Sequence, residues 1–340
     1  EISPSYFLTG DTTQLHAADL RLNLDWRQGP WQVSSAYQLQ YLYSDDDLIT
    51  AVDDKQRLFD LSTTIASDRD RAKLHRLDRL HLSYAQGNSV LRIGRQAISW
   101  GNGLFYNPLD VFNPFDPVAI DKEYKSGDDM IYGQQLFNNG NDLQGVWVGR
   151  RDSDGKHRQA VDSLALKYHG FVGEQEYDIL IAEHYNSRLL GLGGTTTLGD
   201  ALWRTDILFS DGDDASAVQW VSNLAYSWQW QGHNLSGMLE YYYNGFANKD
   251  QALETRIGRG EIFSREQHNL AASVAIELTP LLMLTPALLY SPEQRSGLLQ
   301  VVGNYNLAEN AQVILALNLG ISPTPEAPKQ SVFAQLAWYF

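Results

Sequence analysis

Apolar and polar residues alternate along much of this chain, and that period of two restricts its fold more than any other feature. Within 18–26, apolar residues occupy the even positions and polar or charged residues the odd positions. Successive side chains of a β-strand point to opposite faces, so this segment is predicted to be a strand with one apolar and one charged face. The same alternation recurs in 31–43, 79–84, 91–94, 163–168, 177–182, 203–209, 220–230, 239–244, 269–277 and 312–319. The chain is therefore predicted to be all-β, with at most a short helix within 246–262.

The composition excludes several classes of protein. The 340 residues include 26 Lys and Arg against 41 Asp and Glu, a net charge of −15, which argues against a nucleic-acid partner. The absence of cysteine excludes disulfides, Cys-ligated metal centres and thiol nucleophiles. No apolar run approaches the length of about 18 residues that a membrane-spanning helix needs, whereas a β-barrel distributes its apolar surface over every second residue. No cofactor and no metal site are expected.

Two features favour a membrane barrel over a soluble β-protein. Aromatic residues lie at the ends of the apolar faces, as in the girdles at the two membrane interfaces; they are Trp26, Trp31, Tyr41, Tyr43, Tyr84, Tyr168, Trp228, Trp230, Tyr241, Tyr243 and Trp338. Short connections at 27–30, 86–89, 138–141, 171–175, 199–200, 231–234, 279–282 and 307–310 alternate with long ones at 44–73, 97–127, 151–159, 211–217, 246–266 and 321–330. We expect short periplasmic turns and long extracellular loops. The soluble alternative is a propeller, but no blade repeat is found.

Counting back from 331–340 as the last strand gives 18 strands if 2–8 is the first, or 16 if the least certain pair is omitted. The predicted fold is a single domain, 1–340: a transmembrane antiparallel up-and-down β-barrel of about 16–18 strands.

The segment 97–127 is predicted to be a constriction loop. Its prolines restrict the backbone, and its many apolar residues suit a buried position better than a water-exposed loop. We expect it to fold inward and narrow the lumen, with Asn107, Asp110, Phe112, Asn113 and Asp116 in the constriction and Asp121 also facing the path. The alternative is a lid that packs over the barrel rim without a role in selectivity.

Alternation also assigns side chains to the lumen. The predicted pore-lining residues are Arg21, Arg79, His81, Arg92, Lys167, Arg204, Asp206, Glu240 and Glu277, with Asp19, Asp25 and Asp178 also facing inward. Charges of both signs indicate a mixed lumen, in which Arg79 and Arg92 are candidates for contact with a solute. The alternative is that these residues pair with one another and only stabilise the barrel.

Other motifs carry less chemistry. The acidic clusters Asp45–Asp47, Asp53–Asp54 and Asp211–Asp214 either bind divalent cations that bridge lipopolysaccharide phosphates or are simply solvated. The glycine-rich run Gly191–Gly194 lacks the residues of a phosphate-binding loop. No hydrolase or metalloprotease motif occurs, and His81 with Ser83 is the nearest approach to a dyad. The chain is predicted not to be an enzyme.

The last strand and the 94–114 segment carry a family resemblance. The ending 332–340, with Trp338 and the terminal Phe340, resembles the assembly signal of Gram-negative outer-membrane barrels, which implies recognition by the barrel-assembly machinery. The stretch Gly94-Arg95-Gln96 … Trp100-Gly101 … Asn107-Pro108 … Asn113-Pro114 resembles porin-like barrels near the alginate-export and DUF1302-type families.

This resemblance implies a bacterial outer-membrane location, with lipid and lipopolysaccharide as surroundings and a signal peptide already removed before Glu1. It implies a porin-like channel that passes a small or medium solute of unknown identity. The alternative is a plugged barrel that acts as the export partner of a periplasmic or inner-membrane (RND-type) system.

Overall fold

The computed structural model describes residues 2–9, 14–45, 54–249, 252–323 and 330–340, which form one antiparallel sheet. The strands are β1 (Ile2–Thr9), β2 (Gln14–Gln28), β3 (Trp31–Ser44), β4 (Ser62–Ser67), β5 (Arg71–Gln86), β6 (Ser89–Gln96), β7 (Asp128–Leu136), β8 (Asp142–Val148), β9 (Ser163–Val172), β10 (Gln175–His184), β11 (Ser187–Leu198), β12 (Ala201–Asp211), β13 (Ser216–Trp230), β14 (His233–Asn244), β15 (His268–Thr279), β16 (Leu282–Ser291), β17 (Ser296–Ala308), β18 (Ala311–Ile321) and β19 (Ser331–Trp338). A single helical turn, α1 (Leu253–Gly258), and a 3₁₀ turn, Gln159–Val161, lie in loops. Among the described residues, no helix is long and apolar enough to span a membrane.

The sheet closes on itself. β1 pairs with both β2 and β19, and every strand except β4 pairs with its two neighbours around the ring. Of the nineteen strands formed by the described residues, β4 pairs only with β5, which leaves a closed barrel of 18 strands. This confirms the predicted antiparallel up-and-down barrel and the upper value of the predicted strand number. The short helix α1 lies within the segment that was predicted to contain one.

The two ends of the barrel differ. At one end, the turn end, every connection is short: 29–30, 87–88, 137–141, 173–174, 199–200, 231–232, 280–281 and 309–310. Gly29 and Gly87 have φ of 58° and 57°, which the tight turns of twisted hairpins require. The other end, the loop end, carries the long loops but also the tight turn Tyr185–Asn186.

The prediction of a continuous loop over 44–73 is wrong at its C-terminal end. β5 begins at Arg71, and β4 pairs alongside it through Ser62–Arg76 to Ser67–Ala72. β6 ends at Gln96, where the chain turns into the lumen, so β4 occupies the wall position beyond β6 and covers the upper part of β5. The sequence gives little signal for β4 because Ser62–Ser67 is mostly polar and small.

The exposure of the β2 side chains shows which face of the strand points out of the barrel. Leu22, Leu24 and Trp26 are 46%, 67% and 50% exposed, whereas Arg21 is only 5% exposed. The apolar face therefore covers the outside of the barrel and the charged face points inward. The girdle residues Trp31, Trp230 and Trp338 likewise lie exposed on the outside near the turn end.

A bulge in β5 changes the alternation on the inside. Ala36 of β3 pairs with Arg79, but its neighbour Tyr37 pairs with Leu77, so Asp78 is an extra residue. A bulge of this kind lets two consecutive residues point to the same face. Asp78 is buried, and its carboxylate accepts a hydrogen bond from Arg79 Nη1 at 3.0 Å.

Candidate functional site: the loop across the lumen

The segment 97–127 leaves the wall between β6 and β7 and crosses the inside of the barrel. On the far side, the backbone N–H and the Nδ2 of Asn102 donate to the carboxylate of Asp206 at 2.6 and 2.7 Å. Further along, Gln300 Nε2 donates to the carbonyl of Val118 at 3.0 Å, and the hydroxyl of Tyr339 donates to Glu123 at 2.9 Å. The loop is thus attached to β12, β17 and the end of β19, far from its own strands.

Glu240 of β14 holds the bend of the loop. Its carboxylate accepts the backbone N–H groups of Leu104, Phe105 and Tyr106 at 2.7, 2.9 and 2.8 Å. Asn223 Nδ2 donates to the same carboxylate at 3.2 Å. Three successive N–H groups form a concave anion site, and hydrogen bonds to a charged acceptor are stronger than those between neutral groups.

The first half of the loop packs its apolar side chains against one side of the lumen. Trp100, Leu109 and Phe112 are 4%, 2% and 2% exposed and belong to a cluster with inward-facing residues of β7–β12. The other members of this cluster are Ile98, Val111, Met130, Tyr132, Val146, Val148, Ala165, Leu180, Ala182, Leu189 and Leu208. The ring of Tyr106 stacks on Tyr242 of β14, with centroids 4.9 Å apart. We call this region, from β7 to β14, the packed side.

The glycine-rich run of β11 belongs to the packed side. A Cβ at Gly191 would lie 2.5 Å from Leu109 Cδ2, and one at Gly193 would lie 2.7 Å from Asp206 Oδ1. Any larger residue would therefore push the loop away from the wall. These glycines allow close packing of the loop and give no indication of phosphate binding.

The opposite region, formed by β1, β2, β3 and β5, remains polar; we call it the polar side. The guanidinium groups of Arg21, Arg76 and Arg79 approach the carboxylate of Asp78 at 3.1, 3.6 and 3.0 Å. Arg76 Nε also donates to Gln38 Oε1 at 2.7 Å. Next to these groups lies a cavity of about 180 Å³, the inner cavity, lined by Ser3, Asp19, Arg21, Gln38, Arg76, Asp121 and Tyr124.

A second cavity of about 500 Å³, the outer cavity, lies toward the loop end. Four bases line it, namely Arg57, Lys125, Arg150 and Arg259, against two acids, Asp116 and Asp128; Asn113, Phe115, Tyr124, Tyr185 and Phe263 are also in its wall. The ring of Tyr185 has the Cζ of Arg150 and of Arg259 at 4.7 and 4.4 Å from its centroid. Tyr185 has φ of 46°, a strained conformation for an aromatic residue, in the tight turn after β10.

A buried ion pair joins the two halves of the loop. Lys125 Nζ donates to Asp110 Oδ2 at 2.7 Å, to the Ile98 carbonyl at 2.6 Å and to Ser99 Oγ at 3.0 Å. Burial raises the pKa of Asp110 to about 6, although Lys125 opposes the shift. Burial likewise lowers the pKa of Lys125, opposed by Asp110. The pair therefore ties Asp110, within the proline-rich segment, to Lys125, which follows that segment.

Comparison with known proteins supports the fold but assigns no family. No family model and no curated protein match the sequence, so the resemblance of 94–114 has no further support. Among solved structures, Wzi from Escherichia coli, described as a carbohydrate-binding β-barrel of the outer membrane involved in group 1 capsule assembly, matches with TM-score 0.63 at 11% identity, over 100% of this chain and 84% of Wzi. The chain has the fold of an outer-membrane β-barrel.

Two structures from Pseudomonas aeruginosa match similarly. OccK5 (OpdH) has a TM-score of 0.60 at 10% identity, over 100% of this chain and 97% of OccK5. The outer-membrane protein OpdK, in a crystal structure with vanillate, has a TM-score of 0.57 at 9% identity, over 99% of this chain and 96% of OpdK. At such low identity these matches show a shared fold.

The structure places most of the predicted lining residues on the inner wall. Arg21 and Arg79 are on the polar side. Nearer the turn end, His81 faces inward opposite Ser34, and Arg92 lies over the ring of Tyr132 with its Cζ 5.1 Å from the centroid. The remaining contacts are Lys167 with Asp178 at 3.0 Å, Arg204 with Asn223 at 3.5 Å and Glu277 with Asn234 at 2.8 Å.

Four predictions about this site need correction. Asp206 and Glu240 face inward but are 0% and 2% exposed, because the loop covers them and uses their carboxylates as hydrogen-bond acceptors. Asp110 and Phe112 do not face a path, since one is paired with Lys125 and the other is buried on the packed side. In contrast, Asn113 and Asp116 line the outer cavity, and Asn107 Nδ2 donates to the Trp100 carbonyl at 2.9 Å.

The acidic clusters are only partly described. Asp46, Asp47 and Asp53 lie outside the described residues. Asp54 is not a solvated loop residue, since it is 2% exposed and pairs with Arg57 at 3.0 Å and with Arg95. Within the described part of the chain, no group of three or more His, Cys, Asp or Glu could hold a metal ion.

Sequence reasoning missed Arg76, Asp78, Tyr124 and Tyr185. Asp78 is the bulge residue of β5 and Arg76 precedes it, and extending the alternation back from Arg79 assigns both to the outer face. Tyr124 and Tyr185 lie in connections, where no periodic signal exists.

Proposed function

We propose that this chain is an outer-membrane channel through which a small, carboxylate-bearing solute diffuses passively. The single observation that carries the proposal is the one-sided packing of the loop. Its apolar first half fills the packed side, and the inner and outer cavities lie along its second half, where charged and polar side chains line them. A barrel of this strand number is wide enough for an aqueous passage unless it is plugged.

The outer cavity favours a negative group on the solute, because four bases line it against two acids. On the polar side, the guanidinium groups of Arg21, Arg76 and Arg79 all approach the carboxylate of Asp78. The two acids in the inner-cavity wall have polar partners, since Asp19 accepts from Gln38 and Gln40, and Asp121 accepts from Gln335. Guanidinium groups bind carboxylates in a planar, bidentate manner, which makes them suitable contacts along such a path.

The proposed location is the bacterial outer membrane, with the turn end in the periplasm. In this orientation the outer cavity opens toward the medium and the loop end faces lipopolysaccharide. The exposed Trp338 and Phe340 at the end of the last strand are then available to the barrel-assembly machinery. No chemical step is proposed for His81 and Ser83.

The test is solute flux into proteoliposomes. Gluconate and glucose have similar size and differ in the carboxylate, so the wild type is expected to admit gluconate faster. Arg76→Gln and Arg79→Gln are expected to remove this preference. Arg188→Gln, at an exposed residue on the outer face of β11 beside the inward-facing Leu189, serves as the matched control. Equal rates for the two solutes in the wild type would contradict the proposed solute class.

The second candidate is the plugged export partner. It is favoured by the attachment of the loop to β12, β14, β17 and the end of β19, which is more extensive than narrowing alone requires. A wild-type barrel that is silent in a planar bilayer and admits neither solute would support this alternative. An open wild type would support the channel.

A further inference from the structure

The inner and outer cavities have one lining residue in common, Tyr124. The outer cavity has a volume of about 500 Å³ and the inner cavity about 180 Å³. A solute that moved from one to the other along the polar side would have to pass this side chain. The ring of Tyr124 is therefore either a fixed part of the wall or a movable barrier.

The backbone on both sides of Tyr124 is anchored. The next residue, Lys125, is bound to Asp110 and to the carbonyl of Ile98. The preceding residue, Glu123, accepts a hydrogen bond from the hydroxyl of Tyr339 at 2.9 Å. Asp121 accepts a hydrogen bond from Gln335 Nε2 at 3.4 Å. Passage through this point thus depends on rotation of the Tyr124 side chain, because displacement of the loop would break all of these contacts.

Arg21 holds the ring in place. Its Cζ lies 3.8 Å from the centroid of the Tyr124 ring, and its Nη1 donates to Asp78 Oδ2 at 3.1 Å. A guanidinium over an aromatic face is attracted by the ring quadrupole. Arg21 is also in the wall of the inner cavity, so a carboxylate there would compete with Tyr124 for the same guanidinium.

We propose that Tyr124 is the specificity-determining residue between the two cavities: its ring, positioned by Arg21, sets the largest solute that can pass. This inference rests on the proposed function for its physiological meaning. The barrier itself is a property of the folded barrel and is measurable without any transported solute.

The absence of cysteine from the chain permits a direct test. Ser3→Cys places a single thiol in the inner cavity and Ser126→Cys places one in the outer cavity, each by a nearly isosteric change. Barrels in proteoliposomes are treated from the loop-end side with a small sulfonate-bearing methanethiosulfonate, with a thiol scavenger inside. Each thiol is examined with Tyr124, Tyr124→Phe and Tyr124→Ala, and heat-modifiable gel mobility confirms that every variant is folded.

The barrier predicts a specific pattern of rates. At Ser3→Cys, labelling is expected to be about tenfold faster with Tyr124→Ala than with Tyr124 or Tyr124→Phe, because phenylalanine keeps the ring and its contact with Arg21. At Ser126→Cys, all three backgrounds are expected to give the same rate. Tyr124→Leu replaces the alanine variant if the latter does not fold, and it is expected to accelerate labelling of the inner thiol.

Equal labelling of the inner thiol in all backgrounds would overturn the proposal. So would acceleration at both thiols, since that would indicate general loosening of the loop. If only the inner thiol is labelled faster but the barrel admits no gluconate, the Tyr124 barrier is supported and the proposed channel function is rejected. Failure of the barrier and failure of the proposed function therefore give different results.

Discussion

The packed side and the polar side of the lumen are lined by the same loop, yet they use charged residues in opposite ways. On the packed side, Asp206 and Glu240 are buried and accept backbone N–H groups of the loop, so their charge serves to fix the loop. On the polar side, Arg21, Arg76 and Arg79 remain grouped around Asp78 next to a cavity. An inward-facing charge thus lines a cavity only where the loop leaves space beside it.

The strongest way to break this difference is to remove the attachment of the loop altogether. Deletion of 102–120 removes the contacts with Asp206, Glu240 and Gln300. It also removes Leu109, Val111 and Phe112 from the apolar cluster. The lumen is then expected to open on both sides, and single-channel conductance should rise several-fold, because an 18-stranded barrel without a plug encloses an aqueous channel.

The control for this deletion is removal of 153–156, an exposed hairpin at the loop end that lies outside the apolar cluster. It is expected to leave conductance unchanged. Equal conductance of the wild type and the 102–120 deletion would mean that the loop does not limit the path.

Removal of a single carboxylate tests the attachment of the loop without deleting any of it. Glu240→Ala leaves the N–H groups of residues 104–106 without their acceptor, and we expect it to cost about 4 kcal/mol of loop attachment, given about 1–3 kcal/mol for each buried group left unpaired. Transient openings to a larger conductance should become far more frequent in planar-bilayer recordings. Glu277→Ala removes a carboxylate near the turn end that accepts Asn234 Nδ2 at 2.8 Å; it is the matched control and should behave as the wild type.

The apolar contribution to the packed side is tested by Phe112→Ala. Phe112 is 2% exposed and packs edge-to-face against Trp100, with centroids 5.4 Å apart. Loss of a buried phenylalanine costs about 3 kcal/mol or more in a well-packed core, so the temperature of the heat-induced gel shift should fall and openings should increase. Leu104→Ala, in the same loop but 44% exposed, should change neither measurement appreciably. Similar effects of the two substitutions would argue against a packed side.

The barrel itself could be predicted from the sequence because its determinants are periodic and local. The alternation in 18–26, the short turns at 27–30 and 86–89 and the aromatic ends require no knowledge of distant residues. The inward face of Arg21, Arg79 and Asp206 follows from the same period. The prediction failed where the period is interrupted, as at the bulge of Asp78 and at the polar strand β4.

The interior could not be predicted to the same depth, since alternation tells which face a residue occupies but not what covers that face. Asp206 and Arg21 have the same pattern in sequence, and only the path of the loop buries one beneath Asn102 and leaves the other at a cavity. The loop was recognisable by its prolines and apolar residues. Its direction across the lumen depends on partners such as Glu240 and Gln300, which lie more than a hundred residues away in the chain.

The smallest expected effect concerns pH and the ion pair that joins the two halves of the loop. In the attached loop the pKa of Asp110 is about 6, whereas a solvated aspartate has 3.8. The attached state therefore binds a proton more readily, and lowering the pH from about 7.5 to about 5 stabilises it relative to a detached loop. Openings to larger conductance should become rarer, by up to about tenfold, since one pKa unit corresponds to about 1.4 kcal/mol. Asp110→Asn cannot take up this proton, so its opening frequency should depend on pH less steeply than that of the wild type. An equal pH dependence of the wild type and Asp110→Asn would assign the effect to other groups. Protonation of Asp110 would then have no influence on the attachment of the loop.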